Sequence, residues 1–412
     1  MTIGRTKGVS LQGLLGSQID IECDISDGIP MYSLLGLPDT SLQESRDRVR
    51  AALSNTGQKW PNKKVTVSLS PAWLPKSGPG FDLAIALALL VADGVLPQGP
   101  LEDAIILGEL SLDGGIRSVR GVLPSLIAAY KDGVTRAIVP RANQGEAELM
   151  DQMEILSFEH ISEIYRWLST GEYPFNEVLD IEVDRSEELL DFSDVAGQPQ
   201  ARFAAEVAAT GGHHLLLIGP PGAGKTMIAS RIPSILPPLT PEESLEVTAI
   251  HSIAGGLGKR SAMSKVAPII SPHHSATRAS IVGGGGRTIT PGAISLGHRG
   301  VLFIDEAPEC AAGILDSLRQ PLESGTITIA RQVGSVTFPA KFILVLAANP
   351  CPCGKFTGRG HGCICSSVQV RRYLGKLSGP LMDRIDIRVT VDPVSRVELD
   401  SNVLGEKSED IR

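Results

Sequence analysis

The chain has 412 residues, 42% hydrophobic and 20% charged, with a formal net charge of -8. That length exceeds a single core, so two or three domains are expected, and the negative balance excludes a globally basic nucleic-acid coat, leaving any such contact to local patches. The longest apolar stretch, residues 83–96, is broken by Asp93 and Gly94 and is too short for a bilayer, and Arg5 and Lys7 lack the apolar run of a secretory signal. The expectation is a cytoplasmic protein with no membrane partner. Six cysteines, four of them clustered, suit a metal site better than a disulfide framework.

Residues 1–170 read as a mixed α/β domain. Val65–Leu69 alternates as a strand does, Phe81–Val91 reads as a helix, and Ala104–Leu107 and Ala137–Pro140 read as further strands. Ser77-Gly78-Pro79-Gly80, Gly108–Gly114 and Leu126–Gly133 resemble the proteolytic domain of Lon-type proteases, with its ribosomal-S5-like fold. The resemblance places the nucleophilic serine at Gly80 and the activating lysine among Leu123–Ser125, where no lysine stands. A Ser–Lys mechanism needs both groups, so a fold without protease chemistry is expected. Ser77 and Lys76 are offset from those positions.

Residues 171–193 are acidic and read as a linker, and residues 194–392 as a second domain. Within it Ala201–Ala209 reads as a helix, and in the resemblance to AAA+ ATPases Val195–Gln198 become candidate contacts to the base. Leu215–Ile218 is a short apolar run of buried-strand type. It leads into Gly219, Pro220, Pro221, Gly222, Ala223, Gly224, Lys225 and Thr226, the G-x-x-x-x-G-K-[ST] phosphate loop, followed by a helix start. Such a loop turns backbone N–H groups toward phosphates, brings the Lys225 cation to the outer ones, and offers the Thr226 hydroxyl to Mg²⁺. ATP and Mg²⁺ are the expected cofactors.

Downstream, Val301–Ile304 is a second buried run that ends in Asp305 and Glu306. Carboxylates at the end of a parallel strand suit metal ligation by Asp305 and activation of water by Glu306. Leu344–Ala348 ends in Asn349, which resembles the AAA+ sensor that helps place the water; taken alone it is also a turn former before Pro350. Leu377–Asp386 resembles the arginine-finger segment of Mg-chelatase and MCM-type ATPases. Arg384 would then reach the nucleotide of a neighbouring subunit, the alternative being an ion pair with Asp383 or Asp386.

Two insertions stand inside this domain. The first holds Pro272–Thr277, the four glycines Gly283–Gly286, read as a mobile loop, and Pro291–His298. The second reads as a hairpin of Gly325–Ile329 and Ser335–Phe338 with Arg331 near its tip. Both resemble pore-facing elements of the Mg-chelatase/MCM branch, so Arg278, Arg287 and Arg331 are candidate nucleic-acid contacts, or else ordinary exposed arginines. Cys351, Cys353, Cys363 and Cys365 form a C-x-C pair repeated across a Gly-rich loop. They suit tetrahedral Zn²⁺, with disulfides or free thiols as alternatives and His361 as a substitute ligand. Lys355, Arg359, Arg371, Arg372 and Lys376 make a local basic patch around them. Cys23 and Cys310 read as buried small hydrophobes.

Together these motifs resemble the ComM (YifB)-type Mg-chelatase-like AAA+ ATPases across nearly the whole chain. The resemblance implies an α/β architecture: a degenerate Lon-like domain, then a P-loop AAA+ domain with a parallel sheet. It further implies a hexameric ring, a homo-oligomer, with ATPase and helicase activity on branched or single-stranded DNA. Residues 393–412 are read as a tail leading toward a helical lid, the chain being either a fragment or one in which the lid is missing. A magnesium-chelatase subunit and an ATP-regulated scaffold are the other function classes.

Overall fold

The computed structural model describes residues 3–173, 190–255, 265–285, 289–311, 313–331, 334–356, 362–394 and 405–412. The body of the acidic stretch, Gly286, Arg287, and the Arg359 and His361 of the cysteine loop lie outside the described residues. The chain divides into two units, one of Met1–Asp184 with His251–Met263, the other of Arg185–Ile250 with Ser264–Arg412. Among the described residues no helix is long and apolar enough to cross a membrane.

The first unit is built on a seven-stranded mixed sheet. Its order is Met31–Leu35, Lys64–Ser70, Leu15–Ser26, Gly4–Gln12, Ala104–Ile106, Arg136–Pro140 and Glu154–Phe158. The first long pair, Gly4–Gln12 with Leu15–Ser26, is antiparallel, as is Leu15–Ser26 with Lys64–Ser70, and the last three strands run parallel. Helix Asp82–Ala92 is apolar on nearly every side and lies wholly in the core, as a helix without a polar face must. At Gly4 any Cβ would stand 1.9 Å from the Ala88 carbonyl oxygen, so glycine is what lets strand and helix approach.

At the head of this helix Asp82 is fully buried, and Arg48 grips both its oxygens, at 2.6 and 3.0 Å. Burial still raises the Asp82 carboxyl from its ordinary 3.8 to about 6. Replacing Arg48 by Met strands a buried charge, so urea unfolding of the intact chain at pH 7 should show a loss of about 3 kcal/mol. Without Arg48 the folded carboxyl is raised further, so the variant takes up its proton at a higher pH than the parent does, and the deficit should shrink as pH falls toward 6 and level off below it. A deficit independent of pH would reject the pairing as its cause.

Near the Lon-like motifs, Lys76 is fully buried and its ammonium donates to the carbonyls of Leu69, at 3.0 Å, and Pro71. Ser125 is buried, donating to the Gly121 carbonyl at 2.7 Å. Helix Pro241–Ala254 starts in the second unit, yet its last turn belongs to the first, where the Ser252 hydroxyl donates to the Glu146 carboxylate.

The second unit has a five-stranded, all-parallel sheet in the order Ile269–Ile270, Val301–Ile304, Ile343–Ala348, Leu215–Ile218 and Ile387–Thr390. Its central strands are continuous apolar runs because both faces are covered. Leu215, Leu217, Phe303, Val345 and Ala347 pack with Ile228, Ala229 and Ile232 of the helix Lys225–Ile235. The last turn, Ser408–Ile411, returns to this unit: the Ser408 hydroxyl accepts from the Phe192 N–H at 2.7 Å and lies 2.7 Å from the Ser234 hydroxyl.

Candidate active site

The strand register brings the sequence-predicted residues to one edge of the sheet. Ile218 pairs with Ala348 and Ile304 with Leu346, so the phosphate loop, Asp305-Glu306 and Asn349 all leave the C-terminal ends of adjacent strands. Open parallel sheets gather ligands at that edge. Gly222 and Gly224 take left-handed backbone, φ +78° and +92°, which turns the loop into the N-terminus of helix Lys225–Ile235.

The polar groups there already touch. The Lys225 ammonium, nearly buried, donates to the carbonyls of Gly219 at 2.7 Å and Pro220 at 3.0 Å and to Asn349 Oδ1 at 3.3 Å. Burial lowers its pKa, while Asp305 and Glu306 pull the other way. The Thr226 hydroxyl donates to Asp305 Oδ2 at 2.8 Å, and Asp305 Oδ1 accepts from the Glu306 N–H at 2.8 Å. Thr226 and Asp305 thus present hard oxygen donors side by side, which fits Mg²⁺. Glu306 is exposed and holds a left-handed backbone, φ +49° and ψ +41°, costly for a residue with a Cβ. Gln198, also left-handed, donates to the Ala223 carbonyl at 3.1 Å and to that of Asp392, so the segment read as a base contact borders the phosphate loop.

One contact escaped the sequence reading. His274 Nδ1 lies 3.1 Å from Glu306 Oε2, and its ring stacks on His273 with centroids 4.1 Å apart. Two residues beyond the dipeptide's Ser275 neighbour, Thr277 caps the short helix Arg278–Val282, which leaves Arg278 exposed. The four glycines, expected as a mobile loop, are corrected in part: Gly283-Gly284 pair antiparallel with Thr290-Pro291. A Cβ on Gly283 would meet Ile329 at 2.6 Å, and one on Gly284 would meet the Arg331 guanidinium at 3.1 Å. The hairpin Thr326–Arg331 with Gly334–Pro339 therefore rests on this glycine pair, and its tip carries the exposed Arg331.

Arg384 sits at the opposite edge. Ile387 pairs with Leu215 at the start of its strand, and Asp386 accepts from the His214 N–H at 3.0 Å. A four-residue strand spans about 13 Å, which separates Arg384 from its own phosphate loop. Its partner is Glu323, and not Asp383 or Asp386. Glu323 also lines a cavity of about 530 Å³ with His214, Arg299 and Lys341, at the edge away from the nucleotide residues.

The four thiols converge. Cys351 Sγ lies 3.4 Å from Cys353 and 3.7 Å from Cys363, Cys353 lies 3.7 Å from Cys363, and with Cys365 all lie within 4.8 Å of one another. A tetrahedron of Zn–S bonds of about 2.3 Å has edges of about 3.8 Å, so the donor set fits Zn²⁺. All six cysteines are free thiols. The basic patch around the cluster gains an acid that the sequence does not place there, since Lys376 lies 3.8 Å from Glu309. Cys23 is buried in the core of the first unit, and burial pushes its thiol up to about 12.

A parallel sheet with a phosphate loop, an Asp-Glu strand end and an asparagine at one edge defines a P-loop ATPase of the AAA+ type. Residues 191–399 match the family model described as magnesium chelatase, subunit ChlI, and residues 21–143 match that of subunit ChlI of Mg-chelatase. The chain belongs to this Mg-chelatase family, whose membership implies ATP hydrolysis.

The chain is 50% identical over 391 residues to an uncharacterized protein of Mycobacterium tuberculosis H37Rv, covering 94% of this chain and 77% of that one. It is 42% identical over 379 residues to YifB of Escherichia coli K12, covering 92% and 74%, and 40% identical over 406 residues to the competence protein ComM of Haemophilus influenzae, covering 97% and 79%. Lon protease of Mycolicibacterium smegmatis is a weaker likeness, 24% identical over 173 residues, or 39% of this chain and 22% of that protein.

Proposed function

We propose that the chain is the subunit of an ATP-driven motor, a hexameric cytoplasmic ring that moves branched or single-stranded DNA. In this reading Gly219–Lys225 cradle the ATP phosphates and Lys225 offsets charge on the outer ones. Thr226 and Asp305 would hold Mg²⁺, which would supply charge neutralisation at the phosphates. Glu306 accepts the proton of the attacking water and Asn349 orients that water between Lys225 and the carboxylates. Arg384 of a neighbouring copy stabilises the charge that develops on the transferred phosphoryl group. Cys351, Cys353, Cys363 and Cys365 hold a structural Zn²⁺.

The observation that carries the DNA reading is the path from Arg278 to Glu306. The insertion that exposes Arg278 also lays His274 against the hydrolytic carboxylate, and the Arg331 hairpin rests on the same insertion. A polyanion held by these arginines would bear directly on the residue that activates water.

Turnover should rise on adding branched or single-stranded DNA at low salt. Arg278→Ala with Arg331→Ala should remove that rise and flatten the salt dependence of DNA binding by about two phosphate contacts, while ATPase without DNA persists. Turnover indifferent to DNA, with no binding at low salt, would favour the magnesium-chelatase-like subunit or the ATP-regulated scaffold.

A further inference from the structure

The cysteine cluster lies one residue from the site it would influence. Strand Ile343–Ala348 ends, Asn349 and Pro350 follow, and Cys351 is the first thiol, fully buried. The chain then makes a tight turn in which the Gly354 N–H donates to the Cys351 carbonyl at 2.9 Å. Gly354 takes a left-handed backbone, φ +73°, and its α-carbon faces the phosphate loop so closely that a Cβ would stand 2.6 Å from Pro221 Cδ and 2.9 Å from Cγ. At the other end, Cys365 runs into Ser366, whose side chain accepts from the Gln369 N–H and closes a capping box on helix Ser367–Leu374.

We infer that the metal held by these four thiols braces the nucleotide site: it fixes the Cys351–Gly354 turn against Pro221 and, through Pro350, fixes Asn349 against Lys225. The inference rests on the zinc reading and deepens it from a structural knot to a control point. An ion held by all four would tie the Cys351–Cys353 segment to the Cys363–Cys365 segment more firmly than hydrogen bonds to sulfur do. With it bound, the turn presents a fixed wall to Pro221. Without it, the four thiols within 4.8 Å of one another keep weak hydrogen bonds among themselves and from the backbone N–H groups of Cys353, Lys355, Ile364 and Cys365, and the turn is freer to draw away from the phosphate loop. The fold of the sheet does not depend on this turn, because its strands pair through their own backbones. Metal loss should therefore disable the site and spare the domain. The phosphate loop and sensor would together sense metal or thiol status, and the ligand class is a thiophilic divalent cation, Zn²⁺ foremost.

The test uses the full chain. Its zinc content is read by elemental analysis, its fold by far-ultraviolet circular dichroism, and its nucleotide site by binding of a fluorescent ATP analogue and by turnover. About one zinc per chain is expected. Chelation, or Cys353→Ser, should remove the zinc, leave the circular dichroism intact and lower turnover by about 10²-fold through misplacement of Asn349 and the loop. Adding Zn²⁺ back to the chelated protein should restore it. Gly354→Ala should retain zinc yet still weaken analogue binding, because it pushes on Pro221 while leaving every thiol in place. Zinc that can be removed with no change in binding or turnover would overturn the brace and leave the zinc site standing. A chain that carries no zinc and gains no activity from it would overturn both.

Discussion

Replacing Glu306 by Gln should leave ATP bound and lower turnover by about 10²–10⁴-fold, the usual worth of a positioned general base. The amide keeps the size of the carboxylate and sits on the same strand end, so the Thr226–Asp305 pair 2.8 Å apart and the grip of Lys225 are undisturbed. What is lost is the proton acceptor. Equilibrium binding of an ATP analogue should therefore match the parent chain while phosphate release slows by that factor. His274→Ala is the companion measurement. It removes the imidazole 3.1 Å from Glu306 without touching a phosphate-loop residue, so it should alter turnover and its response to DNA and leave analogue affinity unchanged. Turnover retained in Glu306→Gln would move the water-activating role away from this strand end.

Arg384→Ala should reduce turnover by about 10³–10⁵-fold in the assembled protein, the range for an arginine finger supplied by a neighbour. Arg384 stands at the sheet edge opposite its own phosphate loop, so the proposed finger role requires a second copy. A mixing experiment separates this from ordinary destabilisation. Chains carrying Lys225→Ala and chains carrying Arg384→Ala should each be inactive, yet mixed assemblies would contain interfaces with an intact phosphate loop from one copy and an intact arginine from the next. Partial recovery is the expected result. No recovery in assemblies that demonstrably mix, or unchanged turnover in Arg384→Ala alone, would reduce Arg384 to the partner of Glu323.

Much of the candidate site was legible because its logic is local. A glycine-rich loop needs its spacing, and an apolar run that ends in a carboxylate or an asparagine announces a strand end. Three such runs in one parallel sheet must bring their polar termini to one edge, and the register of Ile218, Ile304 and Ala348 does so. The hairpin with Arg331 near its tip was legible from two alternating runs and a short turn.

Contacts made across the chain left no such trace. His274 meets Glu306 across 32 positions from an irregular loop, where no periodicity points the ring one way or another. Glu323 as the partner of Arg384 lies 61 positions away, while Asp383 and Asp386 were adjacent and misleading. The four glycines looked too free for regular structure. Close packing of Ile329 and the Gly292 backbone, rather than side-chain propensity, sets Gly283-Gly284 as a strand. The return of the Pro241–Ala254 helix to the first unit at its last turn was equally hidden, since composition there does not shift.

The left-handed backbone of Glu306 has an evolutionary reading. A residue with a Cβ in that conformation costs about 1–3 kcal/mol, whereas glycine or asparagine would adopt it with little or no penalty. Folding and the water-activating role proposed for Glu306 thus pull this position in opposite directions. In any lineage released from that role, drift would find a stabilising substitution open at 306. The product would be a sturdier chain that grips ATP and never lets the cycle advance.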